Sequence, residues 1–267
     1  MLAEERRFRI SEILSAQRTV TAADLCAKLS VAAATVRRDL AVLERSGVLV
    51  RSHGGAVSKT SSTNFQAALE AQMRSNRSEK QAIAQLAETL VLDGETLFLE
   101  GSTTVLELAR LLVSRNRLTV VTNSPAIVML FHRSIGATVL CTGGELQKDI
   151  GYLSGHWAQR SLSEVRVDKT ILGISAIDSA YGMSTPSHNE AQIKKMLIGA
   201  AKVRIGLADN SKFGKQCFAH VGPVTELTHL VTDWDADPAQ LASLREQGVD
   251  VLVATRGGKD AVQPAKS

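Results

Sequence analysis

The sequence predicts an α/β chain in two parts: a small N-terminal winged helix-turn-helix domain, then a larger domain on an open, mostly parallel sheet covered on both faces. Three observations predict this. A helix, turn, helix and ribbon string runs from Thr21 to Ala56. From Glu79 onward, short β-rich apolar runs alternate with helical patterns, the signature of strand–helix–strand units. Polar, glycine-bearing turns follow several of those apolar runs, where open α/β sheets bind ligands.

The first helix is expected over Leu2 to Gln17, with Phe8, Ile10, Ile13 and Leu14 facing a small core. Leu25 and Leu29 give the next helix its apolar stripe, and Ser30-Val31 breaks it. Val36, Leu40 and Leu43 then recur at i, i+4 and i+7, a second buried stripe. At about 100° per residue, Ala34, Arg38 and Arg45 fall opposite that stripe, with Thr35 and Arg37 on its flanks. Small residues permit close approach to a surface, and guanidinium forks suit phosphates and guanine edges. Gly47 stops the helix. Val48-Leu49-Val50, a turn at Arg51-Ser52-His53-Gly54-Gly55, and Ala56-Val57 read as a two-stranded wing. Arg51, His53 and Gly54 at its tip would meet the backbone or minor groove of DNA. The plainer alternative is a three-helix domain with a solvated arginine pair.

Two strings in this segment carry a resemblance. T-V-R-R-D-L (Thr35 to Leu40) and R-S-H-G-G-A (Arg51 to Ala56), spaced from R-R-F-R-I-S-E-I-L (Arg6 to Leu14), resemble the DNA-binding domain of the DeoR family of bacterial transcription regulators. That resemblance implies a fused sugar-phosphate-binding domain.

Composition is compatible with both parts. The chain has 267 residues, 44% hydrophobic and 22% charged, with a formal net charge of +4 and a pI of about 9.0. Residues 1–58 carry nine Lys/Arg against six Asp/Glu, which places most of the excess base beside the predicted DNA-reading helix. Cys26, Cys141 and Cys217 are far apart and show no C-x-x-C spacing, so neither a metal site nor a disulfide framework is expected. No cofactor is expected. The sequence holds no 18-residue apolar run and no signal-peptide pattern, which predicts a cytoplasmic protein with no membrane partner.

The domain boundaries are expected at 1–58 for the DNA-binding domain, 59–78 for a linker, 79–255 for the effector domain and 256–267 for a polar tail. In the linker, Phe65, Leu69 and Met73 suggest a helix that bridges the domains or packs on a second subunit. Beyond it, strands are expected at Thr96–Leu99, Leu118–Val121, Ala137–Cys141, Lys169–Gly173, Val203–Ala208, His229–Thr232 and Val249–Val253. Helices are expected at Glu79–Leu92, Thr103–Leu112, Ser124–Phe131, His156–Leu162, Asn189–Ala201 and Pro238–Gln247.

Four strand ends carry ligand chemistry. Glu100-Gly101-Ser102-Thr103-Thr104 joins a strand to a helix, with hydroxyls and a helix start that suit a phosphate; a plain N-cap is the alternative. Thr122-Asn123-Ser124 offers an amide for sugar hydroxyls. Gly143 and Gly144 permit close backbone approach to a ligand; plain turn chemistry is the alternative for both of these strand ends. Lys212, in D-N-S-K-F-G, could pair a phosphate. Asp168 and Asp178 flank a strand and could bind hydroxyls or simply close turns.

The strings D-G-E-T-L-F-L-E-G-S-T-T, V-T-N-S, G-G-E-L, L-G-I-S-A-I-D and A-D-N-S-K-F-G look like the DeoR-type effector domain over about Glu79 to Asp233. The resemblance implies a Rossmann-like fold similar to ribose-5-phosphate isomerase. It also implies a sugar phosphate on Gly101 to Thr104, Asn123, Gly143, Gly144 and Lys212. Glu100-Gly101-Ser102 departs from the Asp-x-Gly of many relatives. An isomerase would need a base carboxylate, a lysine and a G-G-G loop; Ser175 stands where one carboxylate aligns, and no lysine lies between Lys169 and Lys194. The expectation is therefore a sensor without catalysis: a repressor of a carbohydrate operon, released from operator DNA by a phosphorylated sugar, acting as a homodimer or homotetramer.

Overall fold

The computed structural model describes residues 3–17, 19–45, 49–52, 55–58, 73–147 and 151–256. Contacts divide the chain into two units, Met1–Glu70 and Ala71–Ser267.

In the first unit the elements are α1 (Ala3–Gln17), β1 (Thr19–Thr21), α2 (Ala22–Leu29), α3 (Ala33–Arg45), β2 (Leu49–Ser52) and β3 (Gly55–Ser58). Thr21 caps α2, its hydroxyl accepting from the Asp24 N–H at 3.1 Å. Ser30 ends α2 in the left-handed region at φ 54°, which turns the chain sharply into α3. Ile10, Leu14, Leu25, Val36, Leu40 and Leu49 are all buried in one core. Phe8 is a correction to the expected core, being 65% exposed. It lies two residues from Ile10, about 200° around the helix, and so faces the other way.

The ribbon is also larger than its expected two strands. β1 joins β3, giving the order β1-β3-β2. Gly55 makes this possible, because a Cβ there would run into the Val20 carbonyl. β1 is three residues long with no alternation to read, so its pairing is a tertiary choice. His53, Gly54, Gly47, Phe65, Leu69 and the tail from 257 lie outside the described residues.

The second unit runs α4 (Arg77–Glu88), β4 (Thr96–Leu99), α5 (Thr103–Leu112), β5 (Leu118–Thr122), α6 (Pro125–Phe131), β6 (Ala137–Cys141), β7 (Glu145–Gln147), β8 (Tyr152–Ser154), α7 (Gly155–Ser163), β9 (Val167–Gly173), β10 (Ala176–Asp178), β11 (Gly182–Thr185), α8 (His188–Ala200), β12 (Ala201–Leu207), β13 (Ala219–Gly222), β14 (His229–Thr232), α9 (Pro238–Glu246) and β15 (Asp250–Val253). Among the described residues, seven of these strands form one parallel sheet in the order β15-β14-β12-β9-β4-β5-β6.

Both faces of the central strands are covered, and the alternation along single strands shows how. Leu97 and Leu99 pack with α4 and α5, whereas Phe98 between them packs with α7 and α8. Ile171 and Val231 face the first core, while Leu172 and Leu230 face a third cluster with α8 and α9. Two smaller antiparallel pieces, β10-β11-β13 and β7-β8, are appended beyond the strand ends.

The strand order has a consequence for ligand binding. From β4 the chain winds through α5 to β5 and β6, toward one edge. From β9 it winds through α8 to β12, β14 and β15, toward the other. The neighbours β4 and β9 thus send their connections to opposite faces and in opposite directions, making the switch point beyond whose carboxyl ends open α/β sheets form their ligand crevice.

Candidate functional site

The crevice is framed by Glu100-Gly101-Ser102 after β4 and Gly173-Ile174-Ser175 after β9. Ser102 caps α5, its hydroxyl accepting from the Val105 N–H at 3.2 Å. The first-turn N–H groups of a helix have no intrahelical acceptor, so α5 presents donors and a positive dipole end at Thr103 and Thr104. Thr103 is half-buried and Thr104 buried. A Cβ on Gly101 would lie 2.6 Å from the Cβ of Tyr152, and a Cβ on Gly173 would overlap Ser102. Both glycines are needed for the turn to sit this close to its neighbours.

Asn123 is 1% exposed and brackets this turn. Its Oδ1 accepts from the Gly101 N–H at 2.8 Å, and its Nδ2 donates to the Leu153 carbonyl at 3.2 Å. The amide read from the sequence as a sugar contact is therefore engaged in shaping the loop. Ser124 caps α6 through the Ile127 N–H at 3.4 Å. Gly143 is exposed with open space around its Cα at φ +66°. Gly144, at φ +114°, would place a Cβ 2.5 Å from the Ser154 carbonyl.

On the other side of β9, the end of β12 carries Asp209 and Lys212. Asp209 is 1% exposed; its Oδ1 accepts from Asn76 Nδ2 at 2.8 Å and from the Ser211 N–H at 3.1 Å. Its Oδ2 has no hydrogen-bond partner, and Lys212 Nζ stands 3.9 Å from it. Burial pushes this carboxyl up, but the Ser211 hydroxyl, Lys212 and Asn76 outweigh it and hold the pKa below its ordinary value. Lys80 on α4 is buried beside the same group; its own pKa is lowered by burial, with Asp209 opposing.

One expected ligand is corrected by position. Asp168 is the second residue of β9, at the amino edge of the sheet, and its Oδ2 accepts from the Thr96 N–H at 2.8 Å. That is the edge opposite the crevice, because all the strands run parallel. Asp178 ends β10, and its Oδ1 accepts from the N–H groups of Ala180 and Tyr181 at 3.0 and 2.8 Å. It closes the β10–β11 turn, the alternative its sequence context left open.

A charged cluster that the sequence reading missed fills the floor of the crevice. Glu100 is 3% exposed; its Oε2 accepts from the Gly173 N–H at 2.8 Å, and its Oε1 from Lys194 Nζ at 2.5 Å. Lys194 also donates to the Gly173 carbonyl at 2.6 Å and lies 3.4 Å from Glu190 Oε1. Glu190 accepts from the Ser175 hydroxyl at 3.1 Å. Burial opposes the charge on Lys194, but Glu100 and Glu190 outweigh it and raise its pKa, so the ammonium is retained. Burial raises the Glu100 pKa, against the pull of Lys194. One signal was available: Glu190 and Lys194 sit at i and i+4 between Ala191, Ile193 and Leu197, on the buried stripe of α8.

In the first unit, Val36, Leu40 and Leu43 of α3 are buried, while Ala34, Arg37 and Arg38 are exposed and Thr35 is half-buried. Asp39 is a clamp: buried, it accepts from Arg6 Nε of α1 at 2.5 Å. The two adjacent arginines are left on the outer side. Of the wing residues, Arg51 is described only in its backbone on β2.

Comparison with known proteins bears on both units. Residues 6–62 match the model of the DeoR-like helix-turn-helix domain, and residues 75–234 match that of the DeoR C-terminal sensor domain. The chain belongs to the DeoR family. It is 32% identical over 261 residues to the HTH-type transcriptional repressor GlcR of Bacillus subtilis, covering 97% of this chain and 100% of that one. It is 30% identical over 248 residues to the glycerol-3-phosphate regulon repressor of Haemophilus influenzae, covering 93% and 96%. Among solved structures, ribose 5-phosphate isomerase A from Methanocaldococcus jannaschii aligns at 20% identity and TM-score 0.39, over 52% of this chain and 55% of that one. As a DeoR-family protein the chain is a DNA-binding transcription regulator with a sensor domain. Among the described residues, no helix is long and apolar enough to cross a membrane.

Proposed function

We propose that this regulator represses a carbohydrate-catabolism operon and that a phosphorylated sugar, bound in the β4–β9 crevice, modulates its hold on the operator. The observation that carries the reading is the switch point between β4 and β9. It offers a capped helix start at Gly101 to Thr104, with Lys212 one strand beyond β9. A phosphoester suits those donors, and a relative of nearly equal length is named for a glycerol-3-phosphate regulon. The open groove of about 530 Å³ beside α4 is a poorer phosphate site, because Glu79 lines it and its one arginine, Arg256, is paired with Asp235.

Thr35, Arg37 and Arg38 read base edges or fix the register, with Arg51, His53 and Gly54 on the DNA backbone. Ser124, Gly143 and Gly144 border the sugar end. Subunits pair through their sensor domains, as a homodimer or homotetramer, and present paired heads to repeated half-sites in the cytoplasm. Ligand binding then shifts the spacing of the heads, with a coupling of about 1–3 kcal/mol. Binding proceeds without turnover: Lys194 is committed to Glu100, Glu190 and the Gly173 carbonyl, and Ser175 replaces a carboxylate.

Thermal-shift measurement against phosphorylated sugars tests the reading. At about 100 times its dissociation constant, a ligand adds about 2.7 kcal/mol of stability. For a domain of this size that raises the melting temperature by about 5–10 °C. The unphosphorylated sugars should give no shift. Equal shifts with and without the phosphate would remove the phosphoester from the account, and conversion of ribose 5-phosphate to its ketose would make the protein an enzyme.

A further inference from the structure

Tyr152 is 2% exposed, yet its phenol oxygen is buried without a hydrogen-bond partner. The ring starts from β8, against Gly101, and its hydroxyl lies within electrostatic reach of Glu190 and Glu100. Ser187 is near it but does not meet hydrogen-bond geometry. Burial raises the pKa of the phenol and the two carboxylates raise it further, so it remains an O–H donor. A buried hydroxyl without a partner is costly, and native structures keep few of them.

Glu190, within that electrostatic reach, belongs to a linked polar set. Glu190 Oε1 takes the Ser175 hydroxyl at 3.1 Å, and Thr185 Oγ1 reaches Ser175 Oγ at 3.4 Å. Lys194 bonds Glu100 at 2.5 Å but stands 3.4 Å from Glu190, so its charge is spent mainly on the first carboxylate. Glu190 thus retains acceptor capacity beside an unused donor and two small hydroxyls. Neighbouring hydroxyls of a sugar or polyol are donors and acceptors at once, and a carboxylate flanked by O–H groups matches them. Inorganic phosphate brings net negative charge to this corner and no pair of neighbouring carbon-borne hydroxyls.

We propose that Tyr152 and Glu190, with Ser175 and Thr185, form the subsite that reads the hydroxyl-bearing end of the effector, selecting a phosphorylated polyol or sugar over phosphate alone. This rests on the phosphorylated-sugar reading above and adds to it the residues that discriminate among such ligands. The phosphate stays on Gly101 to Thr104, and the carbon chain runs toward the start of α8.

The test is calorimetric titration of the full chain and of Tyr152→Phe and Glu190→Gln. The probes are glucose 6-phosphate, fructose 1-phosphate, ribose 5-phosphate and sorbitol 6-phosphate, with inorganic phosphate as reference. The tightest-binding probe should lose about fivefold to tenfold in affinity in Tyr152→Phe, the worth of one hydrogen bond, and at least as much in Glu190→Gln. Inorganic phosphate should bind both variants as it binds the native chain. Ligand-free Tyr152→Phe should melt no lower than the native protein, since it removes only an unpartnered hydroxyl. Unchanged affinity of the tightest probe in both variants overturns the subsite and leaves the phosphorylated-sugar reading standing. An equal loss for inorganic phosphate also overturns it, by placing Tyr152 in the packing of the phosphate loop. If no probe binds more tightly than inorganic phosphate, both readings fall together.

Discussion

Lys194→Met should lower the free energy of unfolding by about 3–5 kcal/mol, the cost of removing one partner from a buried ion pair. Nζ of Lys194 is the cation between Glu100 and Glu190, both nearly inaccessible to water. Methionine fills the space of the lysine stem, so the loss is electrostatic rather than a cavity. Two carboxylates then face each other in a dry floor, and the Gly173 carbonyl loses a donor. Because Glu100 is continuous with Gly101, the damage reaches the start of α5. Adding Glu100→Gln to Lys194→Met should recover part of the loss, because one uncompensated charge is gone while the Gly173 N–H still meets an oxygen. Urea unfolding of the three proteins checks this. A loss below about 1 kcal/mol would mean that water enters the cluster and the floor is not dry.

Arg37→Ala with Arg38→Ala should abolish specific DNA binding while leaving the fold intact. A good bidentate contact to a base contributes about 1–3 kcal/mol, so losing two costs at least about 30-fold in affinity. Both side chains are exposed, and the neighbouring Asp39 keeps α3 tied to α1 through Arg6. The melting temperature should therefore stay within about 2 °C of the native value, as for surface substitutions generally. Fluorescence anisotropy is the assay, on a duplex that the protein itself selects from a random library, at fixed salt. A loss of only two- to threefold, equal on selected and random DNA, would reduce the arginines to phosphate contacts.

Much of this was legible in the sequence because the signals were periodic or steric. The stripe Val36, Leu40, Leu43 declared both the buried face of α3 and, by subtraction, the exposure of Arg37 and Arg38. The runs at 96–99, 118–121 and 137–141 read as strands because each is a short β-rich apolar run bounded by turns. The strand-end glycines Gly101 and Gly144 were legible as special positions, but what they approach is the chain itself, Tyr152 and the Ser154 carbonyl, while Gly143 has open space around it.

Other features had no local signature. The three-residue strands β1, β7, β8 and β10 are too short for alternation; β7–β8 and β10–β11 are local hairpins, while β1 depends on β3, a partner distant in sequence. Asp168 looked like a ligand because it flanks a strand, but which end of a parallel strand faces the crevice is decided by the sheet. Asn123 looked free to bind sugar until Gly101 and Leu153 took up its amide. The Glu100–Lys194 pair spans 94 residues, and only the i, i+4 charges on the apolar stripe of α8 hinted at it.

The most direct measurement is operator affinity with and without a saturating phosphorylated sugar, compared between the native chain and Thr103→Val with Lys212→Ala. The native protein should change its operator dissociation constant by about 5- to 150-fold on adding the sugar phosphate. The double variant should bind ligand-free operator like the native chain and show no response. An operator affinity that no phosphorylated sugar alters in the native protein, or a double variant that responds in full, would contradict the link between the crevice and the DNA-reading helix.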